Sequence, residues 1–158
     1  MRILGIDPGS RATGYGVIDV TRRGLNFISC GVIRVSPSLS FSERLGELYA
    51  GLAEVITLHG PDRAAIEDIF MAKNAQSALK LGHARGVLIL AVTRRGLPLA
   101  EYTPRHVKQA VAGFGNAEKV QVQNMVRVIL SLAKAPSQDA SDALAVAICH
   151  ANHCQVEL

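Results

Sequence analysis

The apolar positions of this chain change period several times, and each change marks an element. Ile3-Leu4-Gly5-Ile6 is a short apolar run that ends on a lone carboxylate, Asp7, with Pro8-Gly9 directly after it. Such a run predicts a buried strand, Ile3 to Asp7, carrying an acid at the sheet edge. Tyr15 to Val20 predicts a second strand, reached through a turn containing Gly9 and Gly14. Arg22-Arg23-Gly24 reads as a hairpin turn, and Leu25 to Val35 alternates loosely as a third strand with Gly31 as a candidate bulge. Leu45, Leu48, Leu52, Val55 and Ile56 recur at helical spacing, which predicts an amphipathic helix over 42–59. A Ser40–Glu43 capping box opens it and Gly60-Pro61 closes it. Arg63 to Glu67 is too brief for a helix and predicts a strand, again ending on an acid.

Beyond Glu67 the helical period dominates. Ile69-Phe70-Met71 is an apolar tip, and Ala75 to Arg95 predicts a long helix with Ala75, Ala78, Gly82 and Gly86 along one side. Small side chains admit another backbone closely, either the sheet or a helix of a second copy, and packing on the sheet is the plainer expectation. Leu97 to Tyr102 predicts a fifth strand. A short helix runs from Pro104 to about Ala112 and breaks at Gly113 to Gly115. Asn116 caps the next, which buries Val122, Met125, Val126 and Ile129. The last helix, from about Gln138 to Asn152, carries an apolar face of Ala140, Leu144, Ala147, Ile148 and Ala151. Three strands joined by short turns form an antiparallel meander, and later strands reached through helices pair in parallel. The expectation is an α/β fold, a five-stranded mixed sheet with helices on both faces, in one domain over 1–158.

Composition narrows the setting. Three cysteines, Cys30, Cys149 and Cys154, are an odd number without framework spacing, which argues for a reducing cytoplasm over a secreted disulfide scaffold. The start lacks the pattern of a signal peptide, and no apolar run reaches the length of a membrane span. The net charge of +4 is uneven: residues 71–134 hold 10 of the 17 Lys/Arg and only Glu101 and Glu118 as acids. A basic middle between acidic flanks fits a polyanion partner beside an acid-lined site, or equally a solvated basic face.

The acids sharpen this. Asp7 and Glu67 end predicted strands; if those strands are parallel neighbours, their carboxylates meet on one sheet edge. Asp139 and Asp142 lie three apart at the start of the last helix, on one face. Taken alone, that pair reads as first-turn acids favoured by the helix dipole, with Ser137 or Asp139 as the cap. Taken together, converging carboxylates repel one another, and a hard divalent cation resolves the repulsion. Two Mg²⁺ ions about 3.5–4 Å apart activate water and stabilise the leaving oxygen in phosphodiester hydrolysis. Cys149-His150 and His153-Cys154 are too close together for good tetrahedral zinc geometry. His83 and His106 read as surface or nucleic-acid-facing residues.

Several blocks then carry a resemblance. Gly5-Ile6-Asp7-Pro8-Gly9-Ser10, Ile66-Glu67-Asp68-Ile69-Phe70-Met71-Ala72-Lys73-Asn74 and Asp139-Ala140-Ser141-Asp142-Ala143-Leu144-Ala145 resemble the signature blocks of the RuvC family of bacterial Holliday-junction resolvases. Ser77 to Gly82 and Val107 to Ala110 match as well, so that the resemblance runs from about Met1 to His150. It implies an RNase H-like fold, a homodimer, and Mg²⁺-dependent paired nicking of four-way DNA junctions in recombination and repair, with Mn²⁺ as a substitute ion. By position it makes Asp7, Glu67, Asp139 and Asp142 the metal-binding catalytic acids. Lys108 and Lys119 match lysines near the scissile phosphate, and Phe70 matches an aromatic that contacts junction bases. It also implies the branch-migration helicase complex of RuvA and RuvB as partner. Some relatives carry His at the position of Asp142 and many carry Gln at that of Asp68, which is left unassigned. The chain stops soon after its last helix, without the basic tail of some relatives, and lower DNA affinity is the expectation. From the residues alone a solvated lysine is the better reading of Lys119, and Phe70 is as well read as a core aromatic.

Three other functions compete. An ATP-binding module of the actin and sugar-kinase type also opens with a strand and an Asp-x-Gly turn, but needs two such domains and leaves the late Asp-x-x-Asp unexplained. A junction binder without catalysis leaves the four acids unexplained. A nuclease acting on RNA or RNA–DNA hybrids is closer, and cleavage assays separate it.

Overall fold

The computed structural model describes residues 1–69 and 74–155. Five strands form one sheet in the order β3-β2-β1-β4-β5, with β1 Arg2–Asp7, β2 Ala12–Thr21, β3 Gly24–Arg34, β4 Arg63–Glu67 and β5 Leu99–Tyr102. The first three pair antiparallel, whereas β4 runs parallel to both β1 and β5. This is the expected meander joined to helix-linked strands.

Two cores sandwich the sheet. On one face α1 (Phe41–His59) and α2 (Ala75–Thr93) lay Leu48, Leu52, Ile56, Leu88 and Val92 against Leu4, Ile6, Val17 and Ile66. On the other, α5 (Gln138–Gln155) lies directly on the strands, covered in turn by α3 (Pro104–Ala112) and α4 (Lys119–Ile129). Residues 143–151 of α5 are therefore all buried, and not on one side only as its periodicity predicts. A helix enclosed by a sheet and two further helices is apolar all round. Small side chains allow the enclosure: Ala140, Ala143, Ala145, Ala147 and Ala151 are all buried.

Helix ends follow local chemistry. Ser40 and Glu43 form the predicted capping box, and Gly60 takes the left-handed conformation at the α1 C-cap. Asn74 caps α2 by accepting from Ser77 N, and Gly113 closes α3 with φ +88°.

Several expectations need correction. β2 starts at Ala12, so Gly14 is a strand residue and no part of the turn. The register slip falls between Val17 and Ile18, where Ser29 and Phe27 are the partners and Ile28 is the extra residue. Gly31 pairs regularly with Tyr15, and a Cβ there would stand 2.7 Å from the Tyr15 hydroxyl. Its purpose is room for that ring. α4 begins at Lys119 with Glu118 as N-cap, because buried Ala117 still belongs to the approach; the Gln121 side chain accepts from Glu118 N. Met125 is exposed, while Val122 and Val126 are buried. The small-residue stripe of α2 also faces away from the sheet: Ala75, Gly82 and Gly86 are exposed, and Ala84, Leu88, Ala91 and Val92 make the buried side.

Candidate active site

Strand register brings the first two acids together. Ile6 pairs with Ile66 in the parallel β1–β4 ladder, so the next residues, Asp7 and Glu67, end neighbouring strands side by side. The pleat settles the face. Leu4, Ile6, Ala64 and Ile66 enter the α1–α2 core, while Ile3 and Ala65 enter the α5 core, so Asp7 and Glu67 point toward α5.

α5 delivers Asp139 in its first turn and Asp142 three residues further on, one turn deeper into the helix. Glycines set how close that turn comes. A Cβ at Gly14 would lie 2.0 Å from the Asp139 carbonyl oxygen, and one at Gly5 would lie 2.1 Å from that of Ala143. Gly14 pairs with Asp7 across β1 and β2, so the bare backbone beside Asp7 is what admits Asp139. Thr13 stabilises the neighbouring turn, its buried hydroxyl donating to Gly9 O at 3.1 Å. At α5, Ser141 N donates to Ser137 O at 2.8 Å, and Ser141 Oγ donates to Pro136 O.

The four carboxylates line one cleft of about 220 Å³ with Lys108 of α3 and Lys119 of α4. Pro104, Val107, Val122 and Ala145 make its apolar wall. Burial, then the charge of Glu67 and then those of Asp142 and Asp139, hold the Asp7 carboxyl well above the ordinary carboxylate range. Burial and then Asp142 raise Glu67 likewise, against the opposing pull of Lys119, a hydrogen bond with Asp7, and Lys108. Asp142 is held on both oxygens: Gln138 Nε2 donates to Oδ1 at 2.9 Å, and Lys119 Nζ lies 3.6 Å from Oδ2.

Among the described residues no three His, Cys, Asp or Glu side chains are drawn in closely enough to enclose an ion as they stand. Their donor chemistry nonetheless fits one. All four offer oxygen, two resist ionising because they are buried and the other acids crowd them, and the lysine nearest Asp142 is 70% exposed and only partly offsets the charge. A hard divalent cation suits such a set.

The remaining candidates lie elsewhere. Phe70 falls outside the described residues. Cys149 is buried in the α5 core, His153 Nδ1 contacts the Cys149 carbonyl oxygen, and His150 meets the Tyr102 hydroxyl at 2.9 Å and Cys154 at 3.6 Å. His83 and His106 are exposed. Three residues that shape the site had no site role from sequence: Gly5, whose signal is a glycine inside a strand, Gly14, which reads there as part of a turn, and Gln138, which has no signal before its contact with Asp142 is seen.

The family model for crossover junction endodeoxyribonuclease RuvC matches residues 3–150. The chain belongs to the RuvC family. A RuvC from Syntrophotalea carbinolica is 56% identical over 154 residues, covering 98% of this chain and 95% of its own. The RuvC structure from Thermus thermophilus superimposes with a TM-score of 0.90 at 36% identity, covering 99% and 97% of the two chains. RuvC from the same organism, in complex with a Holliday junction substrate, gives 0.92 at 36% identity over 99% and 96%. The sheet order and flanking helices described above are thus those of an RNase H-like resolvase.

Proposed function

We propose that this chain resolves four-way DNA junctions by paired, symmetric nicks, as a Mg²⁺-dependent endonuclease of recombination and repair. The observation that carries the reading is the convergence of Asp7, Glu67, Asp139 and Asp142 with Lys108 and Lys119 in one cleft, from five different elements. The family is metal-dependent; Mg²⁺, in two copies per site and replaceable by Mn²⁺, is the ion this oxygen-only set favours. Bound there, it would supply an activated water and a countercharge for the leaving oxygen.

The chain's own residues do the rest. Asp7, Glu67, Asp139 and Asp142 would hold the ions. Lys108 and Lys119 lie on the cleft wall, placed to meet non-bridging phosphate oxygens as charge grows on them. Lys119 is the first residue of α4, where the helix dipole disfavours a cation, and a phosphate partner offsets that cost. Phe70, two residues beyond Asp68, is proposed to contact junction bases.

Two identical cuts suit a twofold assembly, so a homodimer is part of the proposal. The outward stripe of α2 supports it: Leu79 and Leu90 are 65% and 50% exposed beside Ala78, Gly82 and Gly86. A branch-migration helicase complex of RuvA and RuvB is the proposed partner, the bacterial cytoplasm the proposed compartment, and a single nuclease domain over 1–158 the proposed organisation. No helix among the described residues is long and apolar enough to cross a membrane.

The test is cleavage of a mobile four-way junction against linear duplex and RNA–DNA hybrid, in Mg²⁺ and in Ca²⁺. Paired nicks in the junction alone, with binding but little cleavage in Ca²⁺, are expected. Preferential cutting of the hybrid, or nicking without metal, would overturn the reading.

A further inference from the structure

Arg85 reaches the strand end that carries Glu67 from the face opposite the cleft. The pleat that turns Glu67 toward α5 turns Asp68, and Glu101 on β5, toward α2. Both meet the same side chain. Arg85 Nη2 pairs with the Glu101 carboxylate and lies 3.5 Å from Asp68 Oδ1, while its Nε donates to the backbone carbonyl of Glu67 at 3.1 Å. Asp68 Oδ1 also accepts from Ile69 N at 2.8 Å. The Arg85 side chain is 14% exposed, and that of Glu101 is 54% exposed.

An ion pair with an exposed carboxylate contributes little and gives no reason for a guanidinium to be this buried. The fork of donors gives that reason. Arginine alone can reach a backbone carbonyl with Nε while its terminal nitrogens hold carboxylates in the same plane. Ile6–Ile66 is the last registered pair of the β1–β4 ladder, so the Glu67 peptide lies just beyond it. On the β5 side the following amide, Asp68 N, donates to Tyr102 O at 2.8 Å. Arg85 supplies an attachment from α2.

We infer that Arg85 is a positioning residue for Glu67. By holding the Glu67 carbonyl it fixes the backbone plane from which the carboxylate projects into the cleft. Asp68 and Glu101 keep the guanidinium in place, which gives Asp68 a role outside the cleft. The inference rests on the reading of Glu67 as a metal-holding acid.

The test compares the full-length protein with Arg85→Lys and Arg85→Met. Ca²⁺ binding to the DNA-free protein is followed by titration calorimetry, kcat and KM are measured on a four-way junction in Mg²⁺, and Tm is recorded. Lysine keeps a positive charge beside Asp68 and Glu101 but lacks the Nε donor. Arg85→Lys should therefore hold Tm within a few degrees and KM within about twofold, while Ca²⁺ affinity and kcat fall by roughly 10–100-fold, the range for a residue that orients a ligand. Arg85→Met should fall at least as far. Wild-type Ca²⁺ affinity and kcat in Arg85→Lys would reduce Arg85 to simple charge neutralisation and overturn the inference. If Arg85→Met does not fold, Arg85→Lys decides. An unaltered protein that fails to cut junctions would sink the functional reading, and calorimetry would still decide Arg85.

Discussion

Asp7 combines burial with the company of three other carboxylates, and two measurable effects follow. Replacing it with Asn should lower junction cleavage by roughly 10²–10³-fold, the loss typical of one preorganised electrostatic group, with binding changed only a few-fold; a gel-shift and a cleavage time course read the two separately. The second effect concerns stability. Asp7 and Glu67 are raised on folding, so the folded protein holds protons that the unfolded chain releases at the ordinary carboxylate value. That contribution is full in acid and is lost as pH rises from the ordinary carboxylate range toward and past neutrality. Without divalent cation Tm should decline over this interval. Asp7→Asn should flatten the decline, and added Mg²⁺ should oppose it. Asp7 and Glu67 were legible in the sequence because each closes an apolar run before a break in pattern. Gly14 was not, since a glycine just ahead of a strand looks the same whether it makes a turn or leaves space. The space it leaves is demanded by Asp139, far along the chain.

At the scale of elements, α2 and α5 show how far periodicity carries. Both were legible as helices, yet their faces were misjudged in opposite ways. α2 was expected to lay its small residues on the sheet, but alanines occur on both of its sides, and the pattern alone does not say which side meets which surface. α5 shows one apolar stripe at helical spacing in sequence, Ala140 to Ala151, whereas Ala143, Ala145, Val146 and Cys149 beside that stripe are equally buried. Each yields a prediction. Gly82 has open space around it, so Gly82→Ala should stabilise an isolated subunit by about 0.5–1 kcal/mol through helix propensity. If α2 docks on a second copy, the same change should weaken self-association in sedimentation experiments. Gly14→Ala is the converse case. It forces β2 and α5 apart, costing about 1–3 kcal/mol in denaturant titrations, and it should depress cleavage further than that loss explains.

For the molecule as a whole, two lysines of the basic middle section, Lys108 and Lys119, line one cleft with acids contributed by both flanks. Binding of a junction should therefore weaken with salt, and Lys108→Ala should reduce the slope of log affinity against log salt by about one phosphate contact without loss of fold. Wild-type slope and activity would make Lys108 a bystander. The enclosure of α5 has a further consequence, for motion. Its amides sit between the sheet and two covering helices, so they should exchange with deuterium only through global unfolding, whereas α4 at the periphery exchanges through smaller openings. Asp139 and Asp142 stand just ahead of what should be the slowest-exchanging stretch, 143–151, and Lys119 opens a helix that should exchange faster. One side of the cleft should then stay fixed while the other adjusts to the backbone laid across it.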